Sequence, residues 1–206
     1  EFEERFLKIG LGYRIIGGMR FYERAEIKDL VAYLRVISQK TDDLALERVI
    51  GVPKKGIGES TLNQIYTFSN KEKLCLEDAI AKMIREGLFK PKIKIALEKL
   101  INSLNKWRED SKKIKNYDLI KTIIDESGYS QMLKNKKDIE NENRLENIKE
   151  LLSAMKEFEN LENFLEHVSL ATSIDQEWDG EKVNMMTMHA AKGLEFESVF
   201  LPGWEE

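Results

Sequence analysis

The sequence predicts a mainly α protein: a helical bundle inserted into a partial α/β layer. Three observations carry this. Every strong apolar pattern between residues 76 and 168 repeats at helical spacing. Strand-like runs with glycines nearby occur only toward the two ends, at 13–16, 183–188 and 198–201. A composition of 42% hydrophobic and 34% charged residues, with 3 Pro and 12 Gly, suits a helix-rich chain rather than a disordered or collagenous one.

Taken in order, residues 2–10 read as the end of a helix closed by Gly10, and Tyr13-Arg14-Ile15-Ile16 as a short strand entering the Gly17-Gly18 turn. Across 26–38, Ile27, Leu30, Val31, Leu34 and Ile37 make a helical stripe, with Arg24, Lys28 and Asp29 off it. From about 41 to 172 the patterns are helical. Leu76, Ala79, Ile80, Met83 and Ile84 form a stripe ending at Gly87. Pro91 opens a longer one through Ile93, Leu97, Leu100, Leu104 and Trp107, so the two predict antiparallel neighbours. Tyr117, Ile120, Ile123 and Ile124 precede Gly128; Leu145, Ile148, Leu152 and Met155, then Leu161, Phe164, Leu165 and Val168, continue the pattern. At least four packed helices without a sheet are expected. Strand character returns at 183–188 and 198–201, separated by Ala190-Ala191-Lys192-Gly193. The expected division is one domain from 1–38 with 179–206, interrupted by a helical domain at 39–178. Both ends read as cut, as in a piece of a longer protein.

With 33 Lys+Arg against 37 Asp+Glu, the net charge of −4 excludes a polycation that attracts phosphate over its whole surface. Any nucleic-acid footprint is therefore local. One cysteine, Cys75, makes no internal disulfide, and with only His167 and His189 it completes no zinc site of usual spacing. A reducing, cytoplasmic setting without a metal is expected. Residues 1–5 are no basic leader, and no apolar run is long enough for a membrane span.

Two stretches could carry chemistry. In Val52-Pro53-Lys54-Lys55-Gly56-Ile57-Gly58-Glu59-Ser60-Thr61, a Gly-Ile-Gly turn opening a helix offers first-turn N–H groups to a phosphate, with Lys54 and Lys55 adding positive potential. The same residues equally make a tight turn with Ser60 or Thr61 capping the next helix, and Glu59 opposes an anion. In residues 187–196, a polar cluster leaves the C-terminal end of a strand, where open α/β sheets place ligands. Gly193 permits close backbone approach, Lys192 could meet a phosphate, Thr187 and His189 could bond phosphate oxygens, and Glu195 could accept from a ribose hydroxyl. An ordinary loop accounts for them too. The basic run at 106–115, net +3, and the acidic run at 138–166, net −6, read as solvated helix faces. Trp107, Phe158, Phe164 and His167 read as core or its border.

Residues 17–29 (GGMRFYERAEIKD), Ala32-Tyr33-Leu34-Arg35, Gly56-Ile57-Gly58, residues 187–196 (TMHAAKGLEF) and Gly203-Trp204-Glu205-Glu206 together resemble the UvrD/Rep/PcrA helicases of superfamily 1, in order and in spacing. The resemblance spans essentially the whole chain. It implies part of the second RecA-like domain, 2A, with the helical 2B domain inserted in it. It also implies a parent enzyme that hydrolyses ATP with Mg2+ to move 3′ to 5′ on single-stranded DNA and unwind duplex in repair or replication. Thr187 and His189 would then face single-stranded DNA. Lys192, Gly193 and Glu195 would face the nucleotide, and Lys54, Lys55, Gly56, Ile57, Gly58 and Thr61 the duplex. Repair or replication proteins are further partners through the helical domain; a membrane is not expected.

The departures are as informative. These 206 residues contain no Gly-x-x-x-x-Gly-Lys-Ser/Thr phosphate loop and no Asp-Glu magnesium-binding strand end, so the piece alone is expected to be inactive and to bind no cofactor tightly. The rival expectation is a helical module that serves protein interaction or autoinhibition with little DNA contact. The two readings differ in whether the lysines near Gly56 form one positive patch. A nuclease-fused relative is a third possibility.

Overall fold

The computed structural model describes residues 2–135, 139–177 and 181–203. Its helices are α1 (Phe2–Lys8), α2 (Ala25–Ser38), α3 (Asp43–Gly51), α4 (Glu59–Glu72), α5 (Leu76–Arg85), α6 (Pro91–Ser111), α7 (Asn116–Glu126), α8 (Tyr129–Lys134), α9 (Ile139–Ala154), α10 (Leu161–Glu177) and α11 (Met188–Ala191). Its strands are β1 (Tyr13–Ile16) and β2 (Val183–Met186). The chain forms two compact units, Glu1–Arg20 with Ser173–Glu206, and Phe21–Thr172. Trp204, Glu205 and Glu206 lie outside the described residues.

The larger unit is a helical bundle around α2. Ten of that helix's fourteen residues are buried, leaving only a narrow exposed stripe of Ala25, Lys28, Arg35 and Ser38, so it acts as the core rod. It packs against α3, α6, α7 and α9. The sequence reading placed residues up to 38 with the first segment; in the compact units α2 falls with the bundle. Asp29, off the apolar stripe in sequence, is buried because it is paired: it accepts from Arg48 Nε at 2.7 Å and from the Tyr129 hydroxyl at 2.7 Å. Glu26 is buried in the same way, accepting from Asn147 Nδ2 at 2.6 Å. Leu30, Leu34, Leu97, Leu104, Leu119, Ile123 and Leu151 fill the apolar interior, each worth about 1.5–3 kcal/mol of burial.

The two stripes expected as neighbours are α5 and α6, which pack against each other, with Pro91 at the first turn of α6. Trp107 and Phe164 are core residues, at 1% and 0% exposed. Trp107 meets Tyr33 edge-on at 5.8 Å, and its indole nitrogen donates to Glu126 at 2.8 Å. His167 lies against the rings of Tyr22 and Phe158, a packing role.

In the smaller unit β1 and β2 pair in parallel, Tyr13 opposite Val183 and Ile16 opposite Met186. Residues 198–201, read as a strand from composition, form none. No described strand pairs with them, and Val199, Phe200 and Leu201 are exposed. β propensity without a hydrogen-bonding neighbour does not make a strand.

Candidate functional site

The turn between α3 and α4 is built from both ends. Asp42 starts α3 by accepting from Ala45 N at 3.0 Å. The helix stops at Gly51, and the Val52 N–H bonds back to the Arg48 carbonyl. From α2 the Tyr33 hydroxyl donates to the Val52 carbonyl at 2.9 Å. Lys55 then turns inward. Its ammonium donates to the Val49 carbonyl at 2.6 Å, the Pro53 carbonyl at 3.0 Å and the Tyr33 hydroxyl at 3.2 Å. Burial pushes this ammonium down to about 8. Lys54, its neighbour, is exposed, so the two lysines do not form one outward patch.

Beyond Lys55, Gly56 has φ +75, a conformation that side chains rarely adopt. Ile57 is half-buried. Gly58 is the N-cap of α4 and brings no side-chain cap, while its carbonyl accepts from Thr61 N and Leu62 N. The cap is thus Gly58, not Ser60 or Thr61; Thr61 is itself buried. A Cβ at Gly58, whose φ is −93, would meet nothing within 4 Å. Nothing inside the chain demands glycine there, and the first turn of α4 is open to an approaching body. Along α4, Ser60, Asn63, Gln64, Thr67 and Lys71 line an open groove of about 570 Å3, with Phe68, Met83 and Leu88 also lining it.

The second stretch lies in the smaller unit. Thr187 follows β2 directly and caps α11, its hydroxyl accepting from Ala190 N at 3.2 Å. The Lys192 N–H bonds to the His189 carbonyl, and Gly193 turns the chain with φ +83. Thr187, His189, Lys192, Gly193 and Glu195 are all exposed around this short turn, at the C-terminal end of a parallel strand. A Cβ at Gly193 would likewise meet nothing within 4 Å, so a nucleotide's oxygens could approach beside Lys192 and Glu195. An exposed lysine, an exposed carboxylate and an open glycine backbone are groups of the kind that phosphate oxygens and ribose hydroxyls can bind. Among the described residues no cluster of His, Cys, Asp and Glu could hold a metal, and no helix is long and apolar enough to cross a membrane.

Sequence reasoning missed the anchoring of the first site. Tyr33 lies 22 residues from Lys55, and no local pattern announces their bond.

A family model for the UvrD-like helicase C-terminal domain matches residues 1–206, and the chain belongs to that family. It is 44% identical over 207 residues to DNA helicase II of Rickettsia typhi, covering 100% of this chain and 32% of that protein. It is 43% identical over 207 residues to the probable DNA helicase II homolog of Rickettsia felis, with the same coverage. Against the ATP-dependent DNA helicase PcrA of Staphylococcus epidermidis it is 39% identical over 214 residues, covering 99% of this chain and 29% of that protein. The chain thus spans about a third of the length of these relatives.

Proposed function

We propose that this chain is the part of an ATP-dependent 3′-to-5′ DNA helicase that couples the nucleotide site to the single-strand track and touches the duplex ahead of the fork. The helical unit is then the 2B domain, and the smaller unit belongs to 2A. Thr187 and His189 serve single-stranded DNA; Lys192, Gly193 and Glu195 serve the nucleotide, ATP with Mg2+ in the full enzyme. Lys54, Gly56, Ile57 and Gly58 meet the duplex. Lys55 and Thr61 support that contact from within. Proteins of repair or replication are further partners, and the setting is cytoplasmic.

The observation that supports the duplex contact best is the open N-cap of α4. A glycine whose φ suits any residue, with empty space where a side chain would sit, leaves the first-turn amides and the helix dipole facing outward beside Lys54. No side chain at this turn is placed to read base edges, so binding should be blind to sequence. A salt titration of duplex binding tests it. One or two neutralised phosphates imply a slope of log affinity against log salt of about −1 to −2. Lys54→Ala should make that slope shallower by about 1, and an unchanged slope would remove the lysine from the contact.

A second reading has one observation in its favour. Because Lys55 is turned inward, the turn offers a single exposed lysine instead of a pair. A helical unit that mainly docks a protein fits that charge pattern, and a chain that binds no duplex even at low salt would favour it.

A further inference from the structure

We propose that Lys55 is the positioning residue of the duplex contact: tied to three oxygens behind the turn, it fixes the chain so that the Gly58 end of α4 faces outward, and never itself meets a phosphate. The proposal rests on the duplex reading above and assigns within it which lysine touches DNA.

The three acceptors come from different places. Val49 belongs to the last turn of α3, Pro53 to the turn itself, and Tyr33 to the core rod α2. Three ammonium protons meet three oxygens, so none is left for an outside anion. The carbonyls at a helix C-terminus carry the negative end of the dipole and attract the ammonium, which offsets part of the desolvation that lowers its pKa. Tyr33 is fully buried, wedged edge-on against Trp107, and its hydroxyl donates to the Val52 carbonyl while accepting from Lys55. Both arms of the turn are thereby fastened to one buried ring. Between this anchor and the α4 cap stand only Gly56 and Ile57. Gly56, at φ +75, has the freest backbone of the segment. Releasing Lys55 would let that short link wander and would cost affinity by dispersing the first-turn amides, without removing a phosphate contact.

This separates contact from positioning by measurement. The assay is a salt titration of binding to a mixed-sequence duplex, for the wild-type chain, Lys54→Ala, Lys55→Met and Lys55→Arg. Lys55→Met keeps the length of the stem and should bind about tenfold more weakly with the wild-type salt slope. Lys55→Arg, whose donors can reach the same oxygens, should recover most of that loss. A Lys55→Met slope shallower by about 1, like that of Lys54→Ala, would make Lys55 a phosphate contact and overturn the proposal while leaving the duplex reading intact. Wild-type affinity in Lys55→Met would overturn it too. A wild-type chain without salt-sensitive binding sinks the duplex reading and this proposal together. Reductive methylation of the wild-type chain, read by mass spectrometry, decides the matter even if Lys55→Met fails to fold. Lys54 should react freely and become protected by duplex, whereas Lys55 should react slowly with or without it; a Lys55 that reacts freely until duplex is added contradicts the assignment.

Discussion

Arg108 of α6 grips the buried carboxylate of Glu77 in α5 with both terminal guanidinium nitrogens, and one of these also donates to the Val36 carbonyl of α2 at 3.0 Å. Three helices meet at this pair. Glu77 is 2% exposed and the Arg108 side chain 17%, so the pair is well shielded from water. Removing only the cation leaves an uncompensated buried carboxylate. Arg108→Met should cost about 3 kcal/mol, and the double variant Arg108→Met with Glu77→Leu should recover much of it. Thermal denaturation of the two checks this; a single variant that loses less than about 1 kcal/mol would show the pair to be effectively solvated.

Stability should peak on the alkaline side of neutrality. Lys55 titrates near 8 when folded and in the usual lysine range near 10.5 when unfolded. Between those values the unfolded chain holds a proton that the folded chain has released, so stability rises with pH. The tyrosines act in reverse. Burial holds the hydroxyls of Tyr13, Tyr33 and Tyr129 above their ordinary range, and that of Tyr66 is pushed up to about 12. Above about 10 the unfolded chain releases phenolic protons that the folded chain keeps, so stability falls. Denaturant midpoints should therefore increase from about pH 7.5 to 9.5 and then drop, and Lys55→Met should flatten the rising limb. A rising limb untouched by that substitution would assign it to another group.

The 206-residue polypeptide should release no phosphate from ATP, with or without DNA. Phosphoryl transfer is catalysed almost wholly by positioning and charge, and the sequence contains no phosphate loop; its Asp125-Glu126 pair ends helix α7 rather than a strand, with Glu126 accepting from Lys106 and Trp107. Lys192 and Glu195, exposed at a surface turn, replace neither the phosphate loop nor a magnesium-binding strand end. Phosphate release above a buffer blank from pure chain would contradict this.

The bundle was legible because its apolar residues repeat every three or four positions: the stripes ending at Gly87 and opening at Pro91 became α5 and α6. What sequence could not give was pairing across distance. Asp29 looked like a surface residue until Arg48 and Tyr129 arrived from 19 and 100 residues away. Lys55 looked like half of a basic patch for the same reason, its acceptors being two backbone carbonyls and a hydroxyl on another helix. The run at 198–201 failed differently, since a strand exists only through its neighbour.

Glu195 is exposed, so its carboxylate carries no folding load. Glu195→Gln should leave the stability read by thermal denaturation within about 0.5 kcal/mol of wild type. In a helicase containing this chain it should nevertheless slow ATP turnover while single-strand binding stays nearly unchanged. Equal loss of both would mean that the residue holds the loop together instead of meeting the nucleotide.

The two glycines of the turn should part company under the same substitution. Gly58 is an N-cap at φ −93, and serine is a better cap than glycine by a few tenths of a kcal/mol, so Gly58→Ser should hold or slightly raise stability. Gly56 sits at φ +75, where a side chain costs about 1–2 kcal/mol, so Gly56→Ser should lower it. Binding should follow a different order. The serine hydroxyl at 58 would occupy the first-turn amides of α4 that a phosphate needs, and its Cβ would stand in the space that is now empty. A more stable chain that binds duplex more weakly, with its slope against salt shallower by less than about 1 because Lys54 remains, is the expected signature. Unchanged affinity in Gly58→Ser would mean that nothing approaches the open end of α4, and the glycine there would be left without a role in DNA contact.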